Sequence, residues 1–515
     1  MKQKGTFRRW LVLVIAASLA GSLLAACSRG ASEPEGPRTL RIGVMYGNGW
    51  EESYTRQTLT DAFEVKMGGA IEVEIVAAVN YDQYQYLRPD EQQNQPDVYE
   101  EVKKLLTGPN PVDVMVLDSS LLTLLARDNL LVQLDPMMAE EKINKEDFVP
   151  AVIDAIAEMG DGFIYALTPT FNPSALFYNK KLFQEAGVEF PTDNMTWDDV
   201  FNLARRLKRG EGKDAVWGFT FNEWGGGGGF WELQQYAQSL NLRMYDDNLE
   251  RMTVNNDSWR NVWTIIPQLY KDKVLPTYED LMADPPQDGV WYPYMDRAFF
   301  RGKVAMVLGN YGFINELMNF NNNVDRIRDK GFEPIDWDVV TVPSHSSMPG
   351  VSGSIYLNQL LAINANAQNK EDAWTYIKFM TGDEWAKLKS RSTWEMPARK
   401  AYIQPRGGLS YNIEAFYSVK PAPPRSYAEQ KLERDYPNLW MVQQLGDLLY
   451  NQVLRGEKTV DEALAEWESR GNDLLLKIKE NPNGPIEGVF DDLYGGGASP
   501  GTGKVILESA PAMHG

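Results

Sequence analysis

Leu40-Arg41-Ile42-Gly43-Val44 sets apolar residues against a charged and a small one in strict alternation, and Ile71-Glu72-Val73-Glu74-Ile75 does the same. Both have the two-residue period of a strand with one buried face. Between them, residues 54–66 read as a helical stretch. Beyond them, residues 112–117 form a near-continuous apolar run, the pattern of a strand buried on both faces. The order β-α-β-α-β indicates an α/β domain with a largely parallel sheet. Residues 80–97, rich in Gln, Asn, Asp and Tyr, interrupt the pattern as an insertion or long loop.

The chain is 515 residues long, beyond the size at which one hydrophobic core stops growing, so at least two domains are expected. Apolar residues make up 43% and charged residues 24%, which excludes a wholly disordered chain. The formal charge of −20 argues against nucleic acid or an anionic membrane as the main partner, since both demand a basic face. The only histidines are His345 and His514, so a multi-histidine metal site is excluded and a Ser-His-Asp triad would have to use His345. Cys27 is the only cysteine, which rules out an intramolecular disulfide.

Lys2, Lys4, Arg8 and Arg9 precede an apolar stretch over residues 10–26 that is short for a membrane span. It closes on Leu24-Ala25-Ala26-Cys27, which resembles the lipobox of bacterial lipoproteins, where the signal peptide is cut before a cysteine that is then lipidated. Residues 28–37, rich in Gly, Ser, Pro and Glu, suit a flexible tether. Farther on, Thr196 with Asp199, Asn369 with Asp372 and Thr459 with Glu462 each precede an amphipathic pattern, as capping boxes do. From residue 481 the chain is rich in Pro and Gly, and a poorly ordered tail is expected there.

Four stretches together resemble the extracellular solute-binding proteins, family 1, of ABC importers. They are Gly162-Phe-Ile-Tyr-Ala-Leu-Thr-Pro169 running into Ser174-Ala-Leu-Phe-Tyr-Asn-Lys-Lys-Leu-Phe-Gln-Glu-Ala-Gly187 and then Pro191 and Thr196-Trp197; Phe299-Phe-Arg-Gly-Lys-Val-Ala-Met306; Val340-Thr-Val-Pro343 with Gly353, Leu361-Ala-Ile363 and Trp374; and Met396-Pro-Ala-Arg399. The resemblance implies a two-lobe, periplasmic-binding-protein-like fold of type II, with discontinuous α/β lobes joined by a hinge that closes on a solute. Its crossovers fall near residues 168–174, 342–353 and 392–398. The implied organisation is a signal peptide at 1–26, a tether at 27–37, an N-terminal lobe of 38–170 plus 345–395, a C-terminal lobe of 171–344 plus 396–480, and the tail at 481–515. Inserts near 80–97 and 402–455 lengthen the chain relative to compact members. The resemblance further implies a monomeric receptor for a carbohydrate, with an oligosaccharide favoured. Cys27 would hold the receptor at the extracytoplasmic face of the cell membrane, where it serves the subunits of an ABC permease.

Sugars present flat C–H faces and rings of hydroxyls, so a receptor needs aromatic faces and side chains able to make several hydrogen bonds. Loops at the C-terminal ends of strands are where α/β sheets place ligands. Those loops hold Trp50, Asp118 and Ser119, then Asn222 and Trp224, then Asn310 and Tyr311; Asn172 lies in the first crossover, and Tyr356 and Trp394 lie near the later ones. Core packing is the commoner fate of any one aromatic. Trp224, Phe230 and Trp231 are set apart because they flank five glycines at 225–229, a run that cannot sit inside a strand or helix. Asp118 is equally suited to capping the following helix. The glycine run lacks the Gly-Lys-Ser/Thr ending of a phosphate loop, no Gly-x-Ser-x-Gly elbow occurs, and nothing signals a metal or cofactor. A same-fold receptor for a non-sugar solute remains an alternative. So does a secreted glycoside hydrolase using carboxylates such as Glu223 and Glu232.

Overall fold

β1 (Arg38–Gly47) is the spine of the first sheet. It pairs in parallel with β2 (Ile71–Asn80) and β3 (Val114–Leu117), so that Ile42 lies between Ile75 and Val114. β4 (Ala166–Leu167) forms the far edge, reached through a strand from much later in the chain, β11 (Leu360–Ile363), which runs antiparallel to both β3 and β4. Gly43 is required by close approach: a Cβ there would stand 2.6 Å from Met115 Sδ and 3.1 Å from Val112 Cγ2. The computed structural model describes residues 36–48, 51–86, 96–224, 229–282, 290–484, 486 and 488–490.

The second sheet is organised by β5 (Thr170–Asn179). The end of β5 pairs antiparallel with β7 (Val304–Asn310), which is flanked in parallel by β6 (Trp217–Thr220), and with β8 (Trp337–Val340). The start of β5 pairs with β10 (Ile355–Tyr356) at Asn172 and Pro173, and with β12 (Met396–Pro397) at Thr170 and Phe171. The start of β5 lies in the first expected crossover, β12 lies in the third, and β10 falls just past the second, within a two-lobe α/β architecture. At the third crossover, Val149 N–H donates to Ala398 O at 2.8 Å.

One apolar core fills the first lobe and continues beneath the second sheet through Phe177, Phe313 and Phe416. A second core, on the other side of that sheet, is unusually aromatic. In it Trp263 and Trp467 stack with ring centroids 5.1 Å apart, and the Trp467 indole donates to Val442 O at 2.9 Å. Capping boxes open the helices Trp197–Leu207 and Val460–Glu480, as their sequences imply. The third expected box does not form. Asn369 N–H donates to Asp113 Oδ1 at 2.9 Å and Asp372 pairs with Arg38 at 2.8 Å, so both are drawn into tying the helix Lys370–Met380 to the first sheet.

The insert at 402–455 carries secondary structure of its own. β13 (Lys420–Pro421) pairs in parallel with β9 (Val351–Ser352); the helices Tyr427–Asp435 and Trp440–Leu454 follow. The start of the expected loose tail is packed: Asn438 Nδ2 donates to Gly484 O at 2.8 Å, and Val489 and Phe490 lie against the second core. Residues 491–515 lie outside the described residues, as does Cys27. No helix among the described residues is long and apolar enough to cross a membrane.

Candidate functional site

The short helix Phe230–Ala237 decides the site. It begins at Gly229, whose extended backbone (φ −153°, ψ 176°) precedes the first turn. Phe230, Glu232 and Leu233 turn inward, whereas Trp231, Gln234, Gln235 and Gln238 fall at i, i+3, i+4 and i+7 and look outward along one stripe. That stripe forms part of the wall of two chambers, one of about 1010 Å³ between the lobes and one of about 260 Å³ lined mainly by the second lobe with Ser352 and Gly353, which share Trp231, Gln235 and Gln238.

Across the larger chamber stand Tyr46 at the end of β1, Ser119 and Ser120 at the start of the helix Ser119–Arg127, and Tyr356. Tyr46 stacks on Tyr81 at 5.7 Å with ring planes 9° apart. Burial, followed by the neighbouring Tyr81, Asp118 and Tyr356, pushes the Tyr46 phenol above its usual range. The smaller chamber is lined by Ser174, Asn222, Glu223, Trp224 and Asn310.

A buried ionic cluster supports Trp224. Arg297, only 5% exposed, forms ion pairs with Glu223 and, at 2.9 Å, with Glu316, and its guanidinium lies 4.0 Å from the centre of the Trp224 ring. Burial pushes the Glu223 carboxyl up to about 7; Arg297 opposes that rise, and Glu316, which shares the same guanidinium, adds to it. Asn222 Oδ1 accepts from Trp224 N–H at 2.9 Å, fixing the backbone beneath the ring.

Several polar atoms in these walls are buried with no hydrogen-bond partner among the described residues: Gln235 Oε1, Ser352 Oγ, Arg243 Nη2 and Gln430 Oε1. Each such orphan costs about 1–3 kcal/mol unless something supplies its partner. A ligand carrying many hydroxyls is suited to do so.

Of the residues expected at the site, Ser119, Asn222, Trp224, Phe230, Trp231, Asn310 and Tyr356 line one or both chambers, Phe230 only by the edge of its buried ring. Asp118 caps the helix after it by accepting from Ser120 N–H at 2.8 Å, and stands near Tyr46 and Tyr356. Asn172 lies opposite Tyr356 in the strand register but lines neither chamber, and Trp394 covers Gly312 outside both. Two of the expected residues are almost wholly buried. Phe230 is 5% exposed and packed edge-on against Trp263, Tyr450 and Trp467, because the glycine run ends in a helix start that turns it inward. Tyr311 is buried against Phe416, its hydroxyl accepting from Arg406 Nε at 2.9 Å. Trp50 and the glycines at 225–228 lie outside the described residues.

Sequence reading missed Gln235 and Gln238, although their spacing from Trp231 is a helical signal. It also missed Arg297 and the 421–430 segment, for which no local signal exists. The two carboxylates considered for hydrolysis do not face each other across a chamber: Glu232 is buried and accepts from Tyr270 OH at 2.7 Å, and Glu223 is held by Arg297. His345 is buried with Nε2 2.6 Å from Tyr236 O. No group of three potential metal-ligating side chains occurs among the described residues.

Compared with known proteins, residues 52–387 match the family model described as bacterial extracellular solute-binding protein. A putative binding protein of Brucella abortus (strain 2308) is 22% identical over 242 residues, 47% of this chain and 52% of that protein, so the chain spans about half the length of the curated relatives it matches. Among solved structures, a sugar transporter from Rhizobium etli in an open conformation is similar with a TM-score of 0.57 at 20% identity, covering 84% of this chain and 99% of that one. The sugar-binding protein MalE from Xanthomonas citri has a TM-score of 0.57 at 18% identity, with 86% and 98% covered. These likenesses match the type II two-lobe fold, and the family match spans more than half the length: the chain belongs to the bacterial extracellular solute-binding proteins.

Proposed function

We propose that this protein is a receptor that captures a carbohydrate, an oligosaccharide in particular, between its lobes and delivers it unchanged to an ABC permease. The observation that carries the reading is the set of unpartnered buried atoms, Gln235 Oε1, Ser352 Oγ and Arg243 Nη2 among them, set around exposed faces of Trp224, Trp231 and Tyr356. Rings of hydroxyls satisfy the former, and C–H faces stack on the latter. The sugar-binding neighbours support the same class of ligand. The lobes are 38–170 with 345–395 and 171–344 with 396–480, the latter extended by the packed residues beyond 480.

Lipidation of Cys27 tethers the receptor, as a monomer, to the extracytoplasmic face of the membrane, where local concentration favours hand-over to the permease. In this reading the protein acts as a binder, not an enzyme, and releases its ligand intact.

A thermal-shift screen over mono- and oligosaccharides tests this reading, because a ligand that binds only the folded state raises the melting temperature. At least one oligosaccharide is expected to stabilise the protein and to be recovered unaltered. Stabilisation only by peptides or polyols, or recovery of cleaved sugar, refutes it. For the anchor, Cys27→Ser is expected to leave an uncleaved, unlipidated precursor; normal processing of that variant refutes lipidation.

A further inference from the structure

Within the insert near 402–455, residues 420–435 form a strap. Its first end is pinned beside the hinge, where Lys420 N–H donates to Gly350 O at 2.9 Å and Ala422 N–H to Ser352 O at 2.8 Å. Pro423 and Pro424 stiffen the next step, and the helix Tyr427–Asp435 starts at Ser426 with a reciprocal cap to Glu429. This helix then bridges the lobes. Tyr427 OH donates to Asp128 Oδ1 at 3.0 Å, Tyr99 OH donates to the other oxygen of the same carboxylate, and the Arg434 guanidinium lies 4.4 Å from the Tyr99 ring centre. On the opposite lobe, Arg243 Nε meets Glu429 at 3.2 Å.

The strap is thereby a third wall of the larger chamber, whose volume of about 1010 Å³ lies at the upper end of what a drug-sized ligand occupies. Two unpartnered atoms mark this end. Gln430 Nε2 is committed to Arg425 O at 2.8 Å, which leaves Oε1 as a buried acceptor. Arg243 has Nε on Glu429 and Nη1 on Asp247, which leaves Nη2 as a buried donor. The cations here are neutralised: Arg425 pairs with Glu433, Lys431 and Arg434 with Asp435, and Arg243 as just described. One acceptor, one donor, proline faces and no spare positive charge suit a neutral sugar ring, not a uronate or a phosphate.

We propose that the strap forms a distal subsite that holds an additional neutral ring of an oligosaccharide whose first rings lie against Trp231, so that the strap reads chain length. The proposal rests on the carbohydrate reading and goes beyond it in assigning a length-selective site to residues 420–435 and Arg243.

The test uses two linear series as probes, maltose to maltohexaose and mannobiose to mannohexaose, titrated into the full chain and into Gln430→Ala and Arg243→Lys. In whichever series binds, the dissociation constant of the unaltered protein is expected to fall with chain length. Each substitution is expected to weaken the longer members by about fivefold or more while leaving the disaccharide unchanged. Hydrogen exchange in the strap helix provides a second reading that does not depend on a variant folding: the longer sugars protect it and the disaccharide does not. Length-independent binding, or equal loss for short and long sugars in the variants, overturns the strap subsite and leaves the carbohydrate reading standing. No binding in either series, accompanied by stabilisation only by non-sugar solutes such as peptides or polyols, overturns both.

Discussion

Phe230 and Trp231 are neighbours in sequence with opposite fates, and truncating each to alanine separates core from site. Phe230 is 5% exposed and its ring centroid lies 6.1–6.4 Å from those of Tyr450, Trp467 and Trp263, so Phe230→Ala leaves a cavity inside a rigid aromatic cluster. Such truncations cost about 3–5 kcal/mol. At roughly 2–4 °C per kcal/mol for a lobe of this size, the ligand-free melting temperature falls by about 6–20 °C. Trp231 is 49% exposed and lines both chambers, so Trp231→Ala removes little buried surface from the free protein. Loss of a stacking anchor weakens binding by about 1–3 kcal/mol, about fivefold to over a hundredfold in dissociation constant. Differential scanning calorimetry of the free variants, beside calorimetric titration with the best oligosaccharide from the screen, reads both quantities. A Trp231→Ala protein that melts as low as Phe230→Ala, or that binds as tightly as the parent, refutes the assignment of this helix face to the ligand.

Two glycines contrast a rigid neighbour with a yielding one. A Cβ on Gly446 would lie 2.5 Å from the ring of fully buried Trp467, so Gly446→Ala is expected to lower the melting temperature, overpacking of about 1–3 kcal/mol exceeding the helix gain of about 1. A Cβ on Gly312 would lie equally close to Trp394, but that ring is 43% exposed and can swing outward; Gly312→Ala should shift the melt by less than about 1 kcal/mol, and a larger loss shows that Trp394 is locked. For Glu223, raised from 4.5 to about 7, the folded protein binds a proton that the unfolded chain has released between those values. Its stabilising contribution is full below the unfolded value and is lost as pH rises through about 7, so Glu223→Gln should flatten the decline in melting temperature from about pH 5 to about pH 8, and an unchanged slope contradicts the burial assigned to it. Small-angle scattering should show a smaller radius of gyration at saturating oligosaccharide, since ligand moves an open–closed equilibrium only by differential affinity; an unchanged radius counts against closure.

Much of the first lobe was legible because its strands carry their period openly. Leu40, Ile42 and Val44 point one way from a parallel strand, and the continuous run before Asp118 gives a strand buried on both faces. The second sheet is harder to read locally, since β5 derives its role from partners more than a hundred residues away in sequence, such as Ile355 and Met396. At the site, loop logic drew attention to Trp224 and Trp231, which line the chambers, but treated the residues after the glycines as more loop. A helix beginning at Phe230 would have sent Phe230 inward and brought Gln235 and Gln238 beside Trp231. Arg297 could not be found by any local pattern: it follows a bend and meets Glu223 and Trp224 only through the fold. The strap was likewise hidden, because what makes it a wall is contact with Asp128 and Arg243 on two different lobes.

The decisive measurement is a crystal structure of the protein with the oligosaccharide that stabilises it most. Sugar rings are expected stacked on Trp231 and Trp224, with hydroxyls within hydrogen-bond distance of Gln235 Oε1 and Ser352 Oγ, the atoms that lack partners in the free protein. A sugar bound elsewhere, with those two atoms still unpartnered and both tryptophan faces bare, would contradict the assignment of this cleft as the binding site.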